Sequence, residues 1–244
     1  MLKRVGRNRL VMKDYITIDL ETTGLDPKHD KIIEIGAIRI RDGAIAAKYE
    51  TFVNPGREIS EKITEITGIK NADLTDAPYI EQIIGEVMEF IGDDVLLGHS
   101  LLFDFSFLKR AAVNAKYAFE KQGIDTLKIS RKYLAELPSR SLGALCGHYE
   151  IKHHAHRALH DAMATHYLYG KLLDEFGATG DSIFEPSALI YQVKREVPAS
   201  KKEIERLLRV VVEKGVVLRE DPYHLTRNEA SRIVDKILSG AYEV

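Results

Sequence analysis

A single cysteine, Cys146, stands in a chain of 244 residues that has no tryptophan at all. One thiol cannot form an intrachain disulfide, and it excludes zinc sites built from clustered cysteines. No apolar run reaches the roughly 18 to 20 residues that a bilayer-spanning helix needs, and the first residues lack the apolar core of a secretory signal. The expectation is a cytoplasmic protein. Neither sign of charge dominates: 35 Lys and Arg against 37 Asp and Glu leave a net charge of -2. That balance neither announces nor excludes a polyanionic partner, because a local groove or bound cations can carry the attraction. With 45% hydrophobic and 30% charged residues, the composition fits one globular domain of ordinary core size plus an appendage. The sequence shows neither internal repeats nor low-complexity stretches.

What is present is acid in apolar surroundings. The stretch YITIDLETTG, Tyr15 to Gly24, reads as a buried strand with Asp19 and Glu21 on one side, since side chains two apart share a face roughly 7 Å along the chain. Two like charges in one small volume repel, and one carboxyl is driven toward its neutral form unless a cation or hydrogen-bond donors hold both ionised. Asp104 in GHSLLFDFSFL and Asp161 in HAHRALHDAMATHYLYGKLL have similarly apolar neighbours. A lone acid on a helix is ordinarily solvated, but this group calls for a shared cause. Oxygen-only acidic ligands without cysteine suit a hard cation such as Mg²⁺ or Mn²⁺, which would also relieve the repulsion.

Around these acids the pattern predicts a strand over 31–40, a hairpin turn at Asp42-Gly43 and a strand over 46–53, making a three-stranded antiparallel meander with the first strand. Helical spacing follows at 60–67 and 79–92, then a short buried strand at Val95 to Leu97 and a helix over 102–115. Beyond it the chain reads as helical with short interruptions, up to a helix over 158–176. Strands first and helices later point to an α/β fold with a mixed sheet flanked by helices. Gly177 to Pro186 marks a boundary, so the expected division is a basic lead-in at 1–13, a main domain at 14–178 and a small helical C-terminal module at 187–244. In the module, Ser200 with Glu203 and Thr226 with Glu229 form capping-box patterns ahead of two amphipathic helices. These flank Val216 to Leu218 and are expected to pack on each other or on the main domain. The lead-in, with Lys3, Arg4, Arg7, Arg9 and Lys13, reads first as an unstructured start and second as a phosphate-contacting arm; Met12 is a second candidate start of translation.

DLETTG with KIIEIGA, GHSLLFDFSFL and HRALHDA resemble, in order and spacing, the three motifs of the DEDD exonucleases. The resemblance is to the DnaQ-like branch that includes bacterial proofreading subunits, and it spans residues 14 to about 175. An acid-x-acid pair alone carries little; three linked motifs in order carry much. The resemblance implies a ribonuclease-H-like sheet, two divalent cations (Mg²⁺ or Mn²⁺), and hydrolysis of nucleic acid one nucleotide at a time from the 3′ end. It puts Asp19, Glu21, Asp104 and Asp161 in the place of metal ligands, with Asp19 bridging both ions. His156, five positions before the last acid, marks the DEDDh sub-branch. On an ideal helix five residues turn by about 500°, so His156 belongs in the loop or first turn ahead of Asp161, free to reach over the cations. The near-neutral pKa ordinary for imidazole suits a general base.

The same resemblance gives Thr22, Thr23, Gly24 and Leu25 the terminal nucleotide, with a wedge against its base, and makes His99, Ser100, Phe103 and Phe107 further pocket residues. Ser100 stands where the family usually has asparagine, so one family hydrogen bond is not expected here. For Phe103 and Phe107 core packing is the competing reading. His156 and His160 have the i, i+4 spacing that helices use for zinc, but no glutamate follows His156 and the acids would stay unexplained. His160, beside Asp161, reads equally as a substrate or metal-shell contact and as helix surface, while His153, His154 and His166 read as solvated surface residues. Lys109, Arg110, Lys116, Lys121, Lys128, Arg131 and Lys132 make the middle of the chain locally basic, read equally as a phosphate-contacting face and as a solvated one. The expected partners are single-stranded or frayed 3′ ends, DNA ahead of RNA, with a polymerase or repair partner and no membrane. The alternatives are an exoribonuclease on the same fold and a non-catalytic subunit that binds nucleic acid or a polymerase. LTRNEASRIVDKIL resembles small helical modules appended to some bacterial exonucleases, for which shielding and nucleic-acid or partner binding are equal expectations.

Overall fold

Strands β3 (Tyr15–Thr22) and β4 (Ile32–Arg41) are rich in isoleucine and buried on both faces for most of their length, which places them inside a sheet rather than at its edge. The protein is seen here as a computed structural model that describes residues 3–4, 10–153 and 156–242. The remaining strands are β1 (Lys3–Arg4), β2 (Leu10–Val11), β5 (Ala44–Phe52), β6 (Leu96–Gly98), β7 (Gln122–Asp125) and β8 (Ser187–Ala188). The main sheet runs β5-β4-β3-β6-β7-β8, with β3–β6 and β6–β7 parallel and the other pairs antiparallel. The expected meander is present. Its β4–β5 turn has φ of 50° at Asp42 and 80° at Gly43, the pair of left-handed residues that a tight hairpin needs.

The helices are α1 (Glu61–Thr67), α2 (Asn71–Leu74), α3 (Ile80–Ile91), α4 (Leu101–Asn114), α5 (Thr126–Tyr133), α6 (Leu142–His148), α7 (Ala158–Phe176), α8 (Lys201–Lys214) and α9 (Arg227–Ser239). Alternation along β3 divides the core. Ile16, Ile18 and Leu20 pack with α3 and α4 through Ile84, Val87, Phe105 and Leu108. On the opposite face Tyr15, Ile38, Ile40 and Leu97 pack with Leu145, Leu168, Tyr169 and Leu172 of α6 and α7. Each fully buried side chain of this kind contributes about 1.5–3 kcal/mol. Asp19 and Glu21 share the parity of Tyr15 and Thr17, so they emerge where β3 runs out beneath the first turn of α7.

Two expectations are corrected. The segment after α4 is not continuously helical: QGID forms β7, and Ser187 and Ala188 pair with it as β8. A strand of four residues containing glycine is too short to display a two-residue period, and only its neighbours β6 and β8 define it. The lead-in is paired where it is described, with Lys3 opposite Val11 and Arg4 opposite Leu10; Arg7 and Arg9 lie outside the described residues. Among the described residues no helix is long and apolar enough to cross a membrane.

Helices α8 and α9 pack on each other around Leu207, Val210, Ala230, Ile233, Val234 and Ile237, and both capping boxes form. Val216 to Leu218 makes no strand, and Val216 and Leu218 pad this small core. The pair is also seated on the sheet domain. Lys31 Nζ meets Glu229 at 2.6 Å, Tyr79 Oη donates to Asp221 at 2.7 Å, and the Tyr79 ring stacks on His224.

Candidate active site

Three elements bring the acids together. Asp19 and Glu21 lie at the end of β3, just before the ladder to β4 slips between Glu21 and Thr22, an irregularity of the kind that often re-aims side chains beside active sites. Asp104 is in the first turn of α4, 3% exposed, and its Oδ1 accepts the Leu20 N–H at 3.1 Å. Asp161 is in the first turn of α7, 8% exposed, with Oδ2 accepting the His156 N–H at 3.1 Å. Both helix N-termini favour the charged form of a carboxylate nearby. His156 is exposed in a bend ahead of α7 with φ of 68°. Glu21, His156 and Asp161 each offer a ligand atom, all within 4.8 Å of one another.

Electrostatics mark the cluster as short of positive charge. Burial, reinforced by Asp104, Asp161, Glu21 and Glu34, pushes the Asp19 carboxyl well above its usual range. Burial and then Asp161 and Glu34 push Glu21 up to about 8, against a smaller pull from Arg157. Asp104 is raised by burial, an effect that the Leu20 N–H only partly offsets. Three raised carboxyls in one place fit a seat for hard divalent cations, whose charge would hold all of them ionised.

The loop after β3 is a built cradle. Thr22 Oγ1 donates to the Gly24 carbonyl at 2.6 Å, and Thr23 Oγ1 donates to Asp30 at 3.2 Å while accepting from Arg57 at 2.7 Å. A Cβ on Gly24 would fall 2.4 Å from an Asp30 carboxylate oxygen, so a larger residue there would displace the side chain that holds Thr23 and Arg57. Leu25 projects from the loop, 85% exposed, an apolar tip suited to a wedge. Phe103, in the first turn of α4, is half-buried and contacts Phe107 at 5.0 Å between ring centroids.

Several expectations change. Phe107 is 3% exposed and packs in the core behind Phe103. Both ring nitrogens of His99 are engaged, Nδ1 with Thr126 Oγ1 and Nε2 with the Arg140 carbonyl, each at 2.9 Å; the ring braces the fold. Ser100 is left-handed, φ 69°, a conformation asparagine tolerates well, which accounts physically for the family's preference there. His153 is not a surface residue: its Nε2 bonds Asp161 Oδ1. His166 is half-buried and bonded to Tyr15 Oη at 2.9 Å, and His154 lies outside the described residues. His156 precedes the helix that holds the exposed His160, so helical zinc spacing does not apply. Of the basic run, Lys109 pairs with Glu120, Arg110 with Glu196 and Lys132 with Asp181, while Lys121 donates to the Gly92 carbonyl; Lys116, Lys128 and Arg131 are exposed.

Glu34 was not singled out by the sequence. It is fully buried on β4 opposite Glu21, bonded to Arg157 Nε at 2.9 Å and to the Ala158 N–H at 3.1 Å. The available signal was an acid inside the apolar run IIEIGA and an arginine directly after His156.

A ribonuclease-H-like mixed sheet with acids at the end of its central strand and on the first turns of two flanking helices defines a nuclease-type core. The RNase_T model, described as Exonuclease, matches residues 16–169, and the chain belongs to that exonuclease family. It is 38% identical over 191 residues to a PolC-type DNA polymerase III of Caldanaerobacter subterraneus, and 39% identical over 170 residues to that of Bacillus subtilis. Those alignments cover 77% and 68% of this chain but only 13% and 12% of the relatives, so the chain spans about an eighth of their length. Among solved structures, Exonuclease X in complex with 5′ overhanging duplex DNA aligns with TM-score 0.53 at 27% identity, over 67% of this chain and 93% of that one. Escherichia coli Exonuclease I with a dT13 oligonucleotide shares the fold, with TM-score 0.63 at 18% identity over 71% of this chain and 44% of that one.

Proposed function

We propose that the chain is a divalent-cation-dependent 3′–5′ exonuclease acting on single-stranded or frayed DNA ends, with the main sheet and α1–α7 as the nuclease unit and the α8–α9 pair as an appended module; the expected module start at 187 is moved later, because Ser187 and Ala188 complete the main sheet as β8. The observation that carries this reading is the convergence of Asp19, Glu21, Asp104 and Asp161 beside an exposed histidine, with three of the carboxyls held above their usual range. In this reading Asp19, Glu21, Asp104 and Asp161 would hold two divalent cations, Mg²⁺ or Mn²⁺. When bound, such a pair supplies a polarised water nucleophile and charge stabilisation at the leaving 3′ oxygen. His156 takes the proton of the attacking water, and its place in the bend outside α7 leaves the ring open to solvent for that transfer. Thr22, Thr23 and Gly24 grip the terminal nucleotide, Leu25 wedges against its base, and Phe103 lines the opposite wall. In this reading the end must be unpaired, so that its terminal base can leave the stack to meet Leu25 and Phe103.

DNA is favoured over RNA because the relatives are DNA polymerases and the solved neighbours are described with DNA. The same relatives support a polymerase or repair partner. The test is degradation of matched 3′-labelled and 5′-labelled single-stranded DNA and RNA with Mg²⁺, Mn²⁺ or chelator. Stepwise shortening from the 3′ end that needs metal is expected, faster on DNA. Faster loss of RNA would make the enzyme an exoribonuclease, and no metal-dependent cleavage of either would leave a binding subunit.

A further inference from the structure

Helix α7 begins without a capping side chain of its own. Its N-cap residue is Arg157, whose side chain makes no cap hydrogen bond. The missing acceptor comes from the sheet: Glu34 Oε2 accepts the Ala158 N–H at 3.1 Å while Oε1 accepts from Arg157 Nε at 2.9 Å. Arg157 continues to Glu50 at 3.1 Å and lies over the Phe52 ring at 5.3 Å. The helix start also lies directly on the sheet backbone. Gly36, paired with Asp19 across the ladder, has no room for a side chain: a Cβ there would fall 2.1 Å from Ala158 C and Leu159 N. One stretch of β4 thus carries both the floor and the anchor for the turn that presents His156 and Asp161 to Glu21.

That placement needs holding. His156 is in a left-handed conformation that residues other than glycine rarely adopt without surrounding support. Its N–H is tied to Asp161, and the next residue is the arginine clamped by Glu34. A fully buried glutamate with two donors on two oxygens is also hard to replace. A glutamine has one acceptor oxygen, so it can satisfy Arg157 or Ala158 but turns an N–H toward the other.

Resting on the nuclease reading above, we infer that Glu34 and Arg157 are positioning residues for catalysis: together they set the geometry of His156 and Asp161 without touching the substrate. The outer partners of a catalytic metal site typically control activity at this level, and loss of one costs about 10- to 100-fold.

The test uses Glu34→Gln and Arg157→Gln in the full chain, with steady-state kinetics on a 3′-labelled single strand in Mn²⁺ and amide hydrogen exchange by mass spectrometry without metal. The expected result is a fall in kcat of about 10- to 100-fold with KM within about threefold. Exchange should be faster at the amides of 156–161 while the protection of β3, β6 and α4 is unchanged. The double variant should be no worse than the poorer single one, because the two residues act as one unit. If Glu34→Gln does not fold, Arg157→Gln carries the test alone, its side chain being 42% exposed. A folded variant with unchanged kcat would overturn the proposal. So would exchange that quickens throughout the sheet, or a loss confined to KM, which would make Arg157 a direct substrate contact. Inactivity of the wild-type protein would refute the nuclease reading instead, and the exchange data would still decide whether the pair holds the turn.

Discussion

Two regions of this molecule bury carboxylates, and their charges behave in opposite ways. At the seam between the sheet domain and the α8–α9 pair, burial alone would raise Glu229, but Lys31 at 2.6 Å and the Thr226 donors hold it below the usual glutamate range. Other acids there are also matched, Glu196 to Arg110 and Asp221 to Tyr79 Oη. At the end of β3, Glu21 is pushed up to about 8 and Asp19 and Asp104 are raised as well. Glu34, across the ladder from Glu21, has Arg157 and a backbone N–H of its own. Full or partial burial is common to all these groups, so burial does not distinguish the candidate site. Uncompensated charge does, and it is what motivates the proposed cation seat.

Substitutions should separate the two regions by size of effect. Asp19→Ala should reduce hydrolysis by about 10³-fold or more, since it removes a proposed metal ligand at the centre of the acid cluster. Its metal-free melting temperature should stay level or rise, because one of several repelling carboxyls is gone. A large fall in melting temperature would show the acid to be structural. His156→Ala should lower kcat by about 10²-fold or more with little change in cation affinity, measured by single-turnover kinetics and calorimetry.

pH tests the same contrast in stability. Glu21 has its folded-state pKa raised from 4.5 to about 8, so between those values the folded protein holds more protons than the unfolded chain. Stability therefore falls as pH rises through that window in chelator, and cation binding should remove the fall by taking the protons' place. Melting curves from pH 5 to pH 9, with and without Mn²⁺, read this directly; a metal-free protein that gains stability with pH would contradict it. The smallest effect belongs to the seam. Glu229→Gln keeps most of the cap geometry and loses the partly exposed Lys31 pair, so about 1 kcal/mol of stability should go and nuclease rate should change by less than about twofold.

The acids of the cluster were legible in the sequence because each interrupts an apolar pattern, and the β3–β5 meander because its alternation and Asp42-Gly43 turn are local signals. What stayed hidden depends on contacts between distant segments. Glu34 sits in IIEIGA with no local partner; its role exists only once α7 lies on β4, 123 and 124 positions away in sequence. His153 gained a role by folding back on Asp161. Phe103 and Phe107 share one helical stripe, and the depth that makes the second a core residue is set by packing against the sheet. β7 shows no periodicity of its own because four residues are too few.

The central claim is that the raised carboxyls form a cation seat. Its most direct measurement is a calorimetric titration of Mn²⁺ into the metal-free protein near pH 7, repeated in buffers of different ionisation enthalpy, for wild type and Asp19→Ala. The account predicts saturable binding by the wild type with release of protons, because carboxyls raised by burial and by their acidic neighbours must ionise to bind, and a marked weakening in Asp19→Ala. Absence of wild-type binding, or binding without proton release that survives the substitution, would contradict it.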